Sequence, residues 1–215
     1  SIVKAISEGC LARMQRLVLC NTGLTALGAQ RLAEILAGST SREMQRLDLA
    51  GNNLQEDGFF HIAELLSTGV SHLNTLDLEY TYGGPEGAGY LSKALMNSLS
   101  LERLELRGCR IGSEGASRLA SVLGQCKLRR LGLRGNAIED EGICALCKSL
   151  TVSATGPKSP SRSFVSRSAS VSPKSARSTV MLEDLDVSDN RLGLFGADAL
   201  ASAMTGTSKT NLTSV

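Results

Sequence analysis

The stretch Met44-Gln45-Arg46-Leu47-Asp48-Leu49-Ala50-Gly51-Asn52-Asn53-Leu54 decides the fold of this 215-residue chain. Leu47 and Leu49 are two residues apart, so an extended backbone points both side chains to the same face. Asn52 follows where the chain must turn, and a buried side-chain amide there can bond the backbone groups that a turn leaves unpaired. The stretch therefore predicts a short strand, buried on one face, that leads into a turn.

The same pattern recurs along the chain, and this repetition is the dominant signal of the sequence. The apolar pairs are Leu17 and Leu19, Leu47 and Leu49, Leu76 and Leu78, Leu104 and Leu106, Leu131 and Leu133, and Leu185 and Val187. Three residues before each pair stands another apolar residue: Met14, Met44, Leu73, Leu101, Leu128 or Leu182. The turn position holds Asn52, Asn136 and Asn190, with Thr22, Thr81 and Cys109 as substitutes. Each copy is therefore a strand with the pattern LxxLxL and a polar turn.

A glycine recurs fourteen residues after the first apolar residue of every copy. The glycines are Gly28, Gly58, Gly87, Gly115, Gly142 and Gly196. Each opens a segment in which apolar residues four apart form one stripe of a helix, and we expect the glycine to supply backbone freedom at the turn-to-helix junction. A single strand, turn and helix cannot bury its own apolar faces. The units must therefore stack, strand beside strand and helix beside helix, into a curved solenoid.

The pattern resembles the leucine-rich repeat, LxxLxLxxNxL, and the helical half with spacings of 30, 29, 28 and 27 residues is similar to that of the ribonuclease-inhibitor-like subclass. The resemblance covers the chain except for one insertion. It implies an α/β leucine-rich-repeat solenoid, a horseshoe with a parallel sheet on the concave side and helices on the convex side. It implies no particular chemistry, because this fold hosts inhibitors, GTPase-activating proteins, innate-immune sensor domains and ciliary scaffolds.

The register of the repeats divides the chain into segments. Residues 1–13 match the helical half of a preceding repeat, and residues 14–152 hold five repeats. Residues 181–211 form a sixth repeat, and residues 212–215 begin a further one. Both ends thus fall inside repeats, and we expect the array to be part of a larger chain or complex.

Residues 153–180 interrupt this register. The spacing from Leu128 to Leu182 exceeds one ordinary repeat by 26 residues, which is the length of Ser153–Ser178. That segment has ten serines, three of the four prolines, five Lys or Arg and no acidic residue, so we expect a disordered basic loop. Candidate phosphorylation sites are Ser159, Ser170 and Ser172, although serine-rich basic loops also acquire such matches by chance.

Composition excludes several classes of protein. The net charge is +2 and no run of about 18 apolar residues occurs, which argues against a nucleic-acid-binding polycation and against a membrane span. The six cysteines are spread among apolar neighbours and lack the density of a disulfide-stapled secreted domain. We therefore expect a reducing compartment: the cytoplasm, with a cytoskeletal or ciliary location as a variant.

The sequence has few residues that could form a catalytic site, so we expect neither an enzyme nor a cofactor. His61 and His72 have no serine or cysteine elbow motif beside them. Cys144 and Cys147 have metal-ligand spacing, but a second ligand pair is missing nearby and Cys147 falls in a small-residue packing column. The glycine-rich stretch 83–89 has no lysine and fits no nucleotide fingerprint, and Gly83 breaks an otherwise apolar column, which favours an irregular turn.

The concave face is more informative, because strand residues beside the leucines point away from the core and stack in columns about 4.8 Å apart. The candidate partner-binding residues are Arg103, Arg107, Arg130, Arg134, Asp77, Glu79 and Tyr80. The four arginines form a basic cluster between acidic zones, which suits a partner with an acidic surface, and exposed tyrosines are enriched at interfaces. The alternative is ordinary cross-strand salt bridging on a solvated face.

These observations favour a protein-interaction module, an intracellular scaffold or sensor segment that binds a partner on its concave face. A first alternative is a GTPase-activating protein of the Ran-activating type, although the catalytic turn asparagine and acidic tail of that class cannot be identified here. A second is a structural component of cilia or the cytoskeleton. Ribonuclease inhibition is less favoured, because that family is rich in cysteine and acidic.

Overall fold

The computed structural model describes residues 14–38, 43–68, 72–98, 100–152 and 180–205. The expectations for residues 1–13 and 212–215, for the insertion other than Val180, and for Ser159, Ser170 and Ser172 lie outside these ranges. Within the described ranges, none of the helices combines the length and the apolar character that crossing a membrane requires.

Short strands form where the sequence places its apolar pairs, and a helix follows each strand. The strands are β1 (Arg16–Val18), β2 (Arg46–Asp48), β3 (Thr75–Asp77), β4 (Arg103–Glu105), β5 (Arg130–Gly132) and β6 (Asp184–Asp186). The helices are α1 (Ala26–Gly38), α2 (Gln55–Thr68), α3 (Gly84–Asn97), α4 (Gly112–Ala120), α5 (Asp140–Val152) and α6 (Leu194–Thr205).

The strands form one parallel sheet in chain order, from β1 to β6, and consecutive helices pack against one another. The register aligns the repeats residue by residue, so that Leu47 pairs with Leu76 and Leu76 with Leu104. The first leucine of every apolar pair therefore lies in one inward column. This arrangement confirms the predicted parallel solenoid of stacked strand and helix units.

The core lies between the sheet and the helices. Leu47, Leu76, Leu104 and Leu131 are fully buried, and the helical stripe buries residues such as Ile62. Complete burial of a side chain of this size contributes about 1.5–3 kcal/mol relative to exposure. Because each unit contributes the same few leucines, the core continues along the array.

The turn asparagines bond backbone groups, as the sequence predicts, and the structure shows that these groups belong to the preceding repeat as well as to their own. The Oδ1 atom of Asn136 accepts hydrogen bonds from the backbone amides of Cys109 at 2.9 Å and Ile111 at 3.2 Å. Its Nδ2 atom donates to the carbonyls of Leu106 at 2.8 Å and Leu133 at 2.9 Å. Asn52 and Asn190 make the same four kinds of bond. One side chain thus satisfies backbone groups in two repeats.

The recurrent glycines have a different cause from the one we expected. Gly115 lies inside α4 rather than at its start, and its φ is not positive. A Cβ there would stand 2.6 Å from a methyl group of Ile111 and 3.0 Å from the Cβ of Ala88 in the preceding helix. The glycine is therefore needed for close packing of successive units, not for backbone freedom.

Gly83, which breaks the apolar column, lies against an aromatic ring. Other repeats carry a leucine or isoleucine at this position. Phe59 from α2 is fully buried, and Cβ atoms added at Gly83 or Gly87 would collide with its ring. Phe59 therefore fills the volume that a leucine at position 83 would otherwise occupy.

Candidate protein-interaction surface

The side chains that alternate with the buried leucines cover the concave face. The column at the start of each strand contains Arg46, Thr75, Arg103, Arg130 and Asp184, and the column two residues later contains Asp48, Asp77, Glu105, Gly132 and Asp186. Arginines and carboxylates thus stand in adjacent columns. We call this area the concave charged surface.

This surface lines an open cavity of about 300 Å³. Its walls include most of the residues proposed from the sequence: Asp77, Glu79, Arg103, Arg107, Arg130 and Arg134. Tyr80 is not part of these walls, but it lies beside Arg107, whose guanidinium carbon is 5.4 Å from the centroid of the tyrosine ring. The structure therefore brings the sequence-predicted residues together in one area.

Two of the four arginines form ion pairs across the sheet. The Nε atom of Arg130 lies 2.8 Å from a carboxylate oxygen of Glu105, and its Nη1 atom lies 2.9 Å from one of Asp184. The Nε atom of Arg134 lies 2.7 Å from Asp189. Arg130 and Arg134 therefore fit the alternative interpretation of ordinary cross-strand salt bridges.

Arg103 and Arg107 differ from them. Within the part of the chain that the structure describes, neither guanidinium comes within ion-pair distance of a carboxylate. Arg107 stacks instead on Tyr80. Arg103 in β4 and Arg107 just after it therefore line the cavity without a close ion pair in the described ranges. Burial raises the pKa of Glu79 and of Glu105, and the positive charges of Arg107 and Arg103, respectively, act in the opposite direction from a greater distance.

The junction between β3 and β4 also places carboxylates side by side. Asp77 is the register partner of Glu105. Burial, the largest cause, raises the pKa of Asp77, and the nearby Asp48 raises it further. Burial likewise raises the pKa of Glu105, while its bond to Arg130 acts in the opposite direction. Like charges on directly opposed residues are unfavourable, so this junction is electrostatically strained.

The turns after β3 carry two tyrosines in an unusual conformation. Tyr80 has φ 54° and Tyr82 has φ 61°, in the left-handed region that non-glycine residues rarely occupy. The residues equivalent to Tyr80 in the repeats of β2 and β5 are Gly51 and Gly135, which also have positive φ. Tyr82 is stacked by Arg110, with 4.7 Å from guanidinium carbon to ring centroid. Sequence reasoning selected Tyr80 but gave no reason to expect either stacked pair.

The candidate chemical groups elsewhere are isolated. The Nδ1 atom of His61 lies 3.5 Å from Glu64 one turn along the same helix. Cys147 is buried, and burial raises the pKa of its thiol to about 11. In the described ranges, no three His, Cys, Asp or Glu side chains are grouped so that they could hold a metal ion.

Comparison with known sequences identifies the repeats. A family model described as Leucine Rich repeat matches residues 97–120, 124–147 and 180–201. The human protein "NACHT, LRR and PYD domains-containing protein 5" is 28% identical over 64% of this chain, which corresponds to 14% of that protein. The mouse ribonuclease inhibitor is 29% identical over 69% of this chain and 33% of the inhibitor. The chain therefore spans a small part of the relatives that it matches.

Comparison with solved structures supports the same architecture. The Actin-Binding Site 2 of leiomodin-1 superposes with a TM-score of 0.58 at 18% identity, over 69% of this chain and 85% of that one. The tropomodulin C-terminal domain of Caenorhabditis elegans superposes with a TM-score of 0.56 at 16% identity, over 69% of this chain and 89% of that domain. At this identity the likeness concerns the fold.

Proposed function

This chain is a leucine-rich-repeat protein of the ribonuclease-inhibitor-like subclass, and we propose that it binds a protein partner through the concave charged surface. The observation that carries this proposal is that Arg103 and Arg107 line the cavity without a close ion pair among the described residues. The three other arginines of the cavity walls each have one: Arg46, Arg130 and Arg134. Arginine and aromatic residues are enriched at protein interfaces, and Arg107 lies beside the exposed ring of Tyr80. The role proposed is that of a non-enzymatic scaffold or sensor segment in the cytoplasm.

The relatives support binding of a protein in general terms. The ribonuclease inhibitor is named for inhibition of an enzyme, and the leiomodin-1 segment is named as an actin-binding site. Repeats of this kind present a long curved face, which suits a large protein surface better than a small molecule. The charged walls of the cavity agree with this, because small-molecule pockets are mostly apolar.

A cytoskeletal role is the second candidate. The observation in its favour is the structural likeness to the leiomodin-1 and tropomodulin domains. It predicts that the chain sediments with filamentous actin or with a ciliary complex. A Ran-type GTPase-activating role predicts instead that the chain accelerates GTP hydrolysis by a small GTPase. Co-sedimentation and hydrolysis assays with the purified chain separate these roles.

The proposal is tested by charge reversal on the concave face. Arg107→Glu combined with Arg134→Glu should strongly reduce recovery of partners from cell extract, measured by quantitative mass spectrometry, and should weaken the salt dependence of their binding. The matched control is Glu34→Lys on the convex side, which also breaks an exposed ion pair, the one with Arg31. Equal recovery by wild type and the double variant, with both folded by circular dichroism, would refute the concave surface as the binding face.

A further inference from the structure

The acidic residue of β4 forms its ion pair with an arginine of the next strand and not with Arg103 or Arg107. Glu105 lies between Arg103 and Arg107 in sequence and is the carboxylate that would be expected to neutralise them. Its carboxylate instead leans toward the next strand, where an Oε1 atom accepts a hydrogen bond from Arg130 at 2.8 Å. The hydrogen bond of this carboxylate is therefore made to Arg130, and Arg103 and Arg107 keep their own donors free of it.

Gly132 makes this orientation possible. It is the register partner of Glu105 and interrupts the acidic column. A Cβ atom at Gly132 would collide with the second carboxylate oxygen of Glu105, which lies directly above this glycine. Any larger residue at position 132 would therefore displace Glu105 from its place over β5 and return its charge toward Arg103 and Arg107.

The ring of Tyr80 positions Arg107 by stacking against its guanidinium group. The ring of Tyr80 lies over Gly108, where an added Cβ would stand 2.5 Å from a ring carbon. The equivalent turn position has a positive φ in all six described repeats, so the left-handed backbone of Tyr80 belongs to the repeat turn, and what is particular to this repeat is the aromatic side chain. A stacked guanidinium keeps its edge donors available for hydrogen bonds.

We propose that Arg103 and Arg107 hold carboxylate side chains of an acidic segment of the protein partner, and that Gly132 positions Glu105 so that it does not compete for these arginines. This inference rests on the proposed function of the concave charged surface and assigns its binding chemistry. Paired guanidinium and carboxylate groups form strong, geometrically specific hydrogen bonds.

The ligand class is assigned from the shape of the guanidinium group. Five arginines and four acidic residues line the cavity, and both the attraction and the repulsion that they exert grow with the charge of a bound anion. The planar fork of a guanidinium matches the two oxygens of a carboxylate, so we assign carboxylates to Arg103 and Arg107. Tighter binding of a phosphorylated peptide would contradict this assignment.

The test uses the full chain and a fluorescein-labelled peptide of six glutamates, with binding followed by fluorescence anisotropy at low salt. We expect binding to the wild type, and a loss of at least about tenfold in affinity for Arg103→Gln combined with Arg107→Gln, equivalent to about 1.4 kcal/mol. The matched control is Arg16→Gln combined with Arg31→Gln, two arginines outside the cavity walls, which should bind as the wild type does. A peptide of six lysines should not bind.

Gly132→Ala tests the positioning role. It should weaken binding of the glutamate peptide several-fold, and adding Glu105→Gln to it should restore the affinity, since the displaced side chain then has no charge. A merely structural defect at position 132 would not be rescued in this way. Glu105→Gln alone should bind the glutamate peptide more tightly than the wild type, because it removes a negative charge from the cavity walls, and weaker binding would contradict the role given to Glu105 even if Gly132→Ala is poorly folded.

Several outcomes overturn the inference. They are absence of binding to the wild type, equal binding by the Arg103 and Arg107 double variant, and tighter binding of a matched phosphoserine peptide. If the peptide assay fails but recovery of partners still depends on Arg107 and Arg134, the proposed function stands and only the assignment of carboxylates as the ligand is refuted. Peptide binding that requires Arg103 and Arg107, alongside partner recovery that ignores the concave face, refutes the proposed function alone.

Discussion

The repeat that begins at Leu73 and the repeat that begins at Leu128 solve the same structural problem with different residues. The latter follows the consensus, with Asn136 in the turn and Ile138 in the apolar column. The former has Thr81 in the turn and Gly83 in the apolar column. Both stack equally in the sheet, since β3 and β5 keep the same register with their neighbours.

The difference teaches that departures from the consensus are compensated by neighbouring repeats. Thr81 donates a hydrogen bond to the Leu78 carbonyl, as a turn asparagine does, but it has no amide that reaches the preceding repeat. Phe59 of that preceding repeat provides apolar contact at Gly83 instead. The irregular repeat also carries Tyr80, so the departures coincide with the candidate interaction surface.

The largest effect on stability is expected when the contact between Phe59 and Gly83 is removed. Phe59→Ala should lower the free energy of unfolding by about 3–5 kcal/mol, because it empties a fully buried aromatic site against Gly83. Adding Gly83→Leu should recover part of this loss, since the consensus leucine refills the volume. Gly83→Leu alone should destabilise by overpacking. Denaturant unfolding of the single and double variants measures the coupling, and strict additivity would contradict the exchange of volumes.

The second effect sharpens the contrast between the turn residues. Asn136→Ala should cost about 2–3 kcal/mol, because the amides of Cys109 and Ile111 lose their acceptor in a buried site. Thr81→Ala removes one side-chain hydrogen bond and should cost about 1 kcal/mol. Urea unfolding compares them. A loss for Thr81→Ala as large as that for Asn136→Ala would show that threonine replaces asparagine fully.

The third effect concerns the strained turn. Tyr80→Asn should raise the free energy of unfolding by about 0.5–1 kcal/mol, because asparagine accepts the left-handed conformation more readily. The same variant should weaken binding of the glutamate peptide, since Arg107 loses its stacking partner. Gly135→Tyr, at the equivalent position, should destabilise the chain. A Tyr80→Asn variant less stable than the wild type would mean that the ring contact with Gly108 outweighs the strain.

The smallest effect is a difference in pH dependence between two carboxylates of one column. Burial raises the pKa of Asp77, so its contribution to stability is present below the ordinary value of 3.8 and is lost as pH rises through the raised value. Asp77→Asn should therefore be slightly more stable than the wild type at pH 7 and equal to it at acid pH. Thermal unfolding from pH 3 to pH 7 measures this difference.

Asp186 provides the contrast of opposite sign. Burial alone would raise the pKa of Asp186. Hydrogen bonds from Ser188 and the positive charge of the nearby Arg134 outweigh it, so that the pKa lies below its ordinary value. Its charged form therefore stabilises the fold above the ordinary value, and this contribution is lost as pH falls through the lowered one. Asp186→Asn should be less stable than the wild type at pH 7. Equal pH profiles for the two variants would contradict the opposite environments of these residues.

The sequence predicts the fold well because the same pattern of apolar residues recurs in six copies. The apolar pairs, the turn asparagines and the parallel stacking all follow from spacing alone. The exchange between Phe59 and Gly83 was not predicted, because it joins a residue of one repeat to a residue of the next and each repeat was compared with the consensus separately. A signal was present: Phe59 is large where four other repeats carry alanine, next to a repeat with a missing leucine.

The candidate site was predictable in composition but not in pairing. Strand register indicates that Arg103, Arg107, Arg130 and Arg134 share one face. Which of them form ion pairs depends on side-chain orientation, and Gly132 leaves room for the carboxylate of Glu105 beside Arg130. An absent side chain leaves little signal in a sequence, so Gly132 was not selected from it.

The Phe59 contact gives one junction of the array a different response to temperature. The turn asparagines connect repeats through hydrogen bonds, whereas Thr81 has no side-chain amide to do so, and the junction before it relies more on apolar contacts such as that of Phe59 with Gly83. Apolar burial stabilises less as water cools, because its driving force near room temperature is largely entropic. Cooling should therefore loosen the stack first between α2 and α3, at the edge of the surface that carries Tyr80.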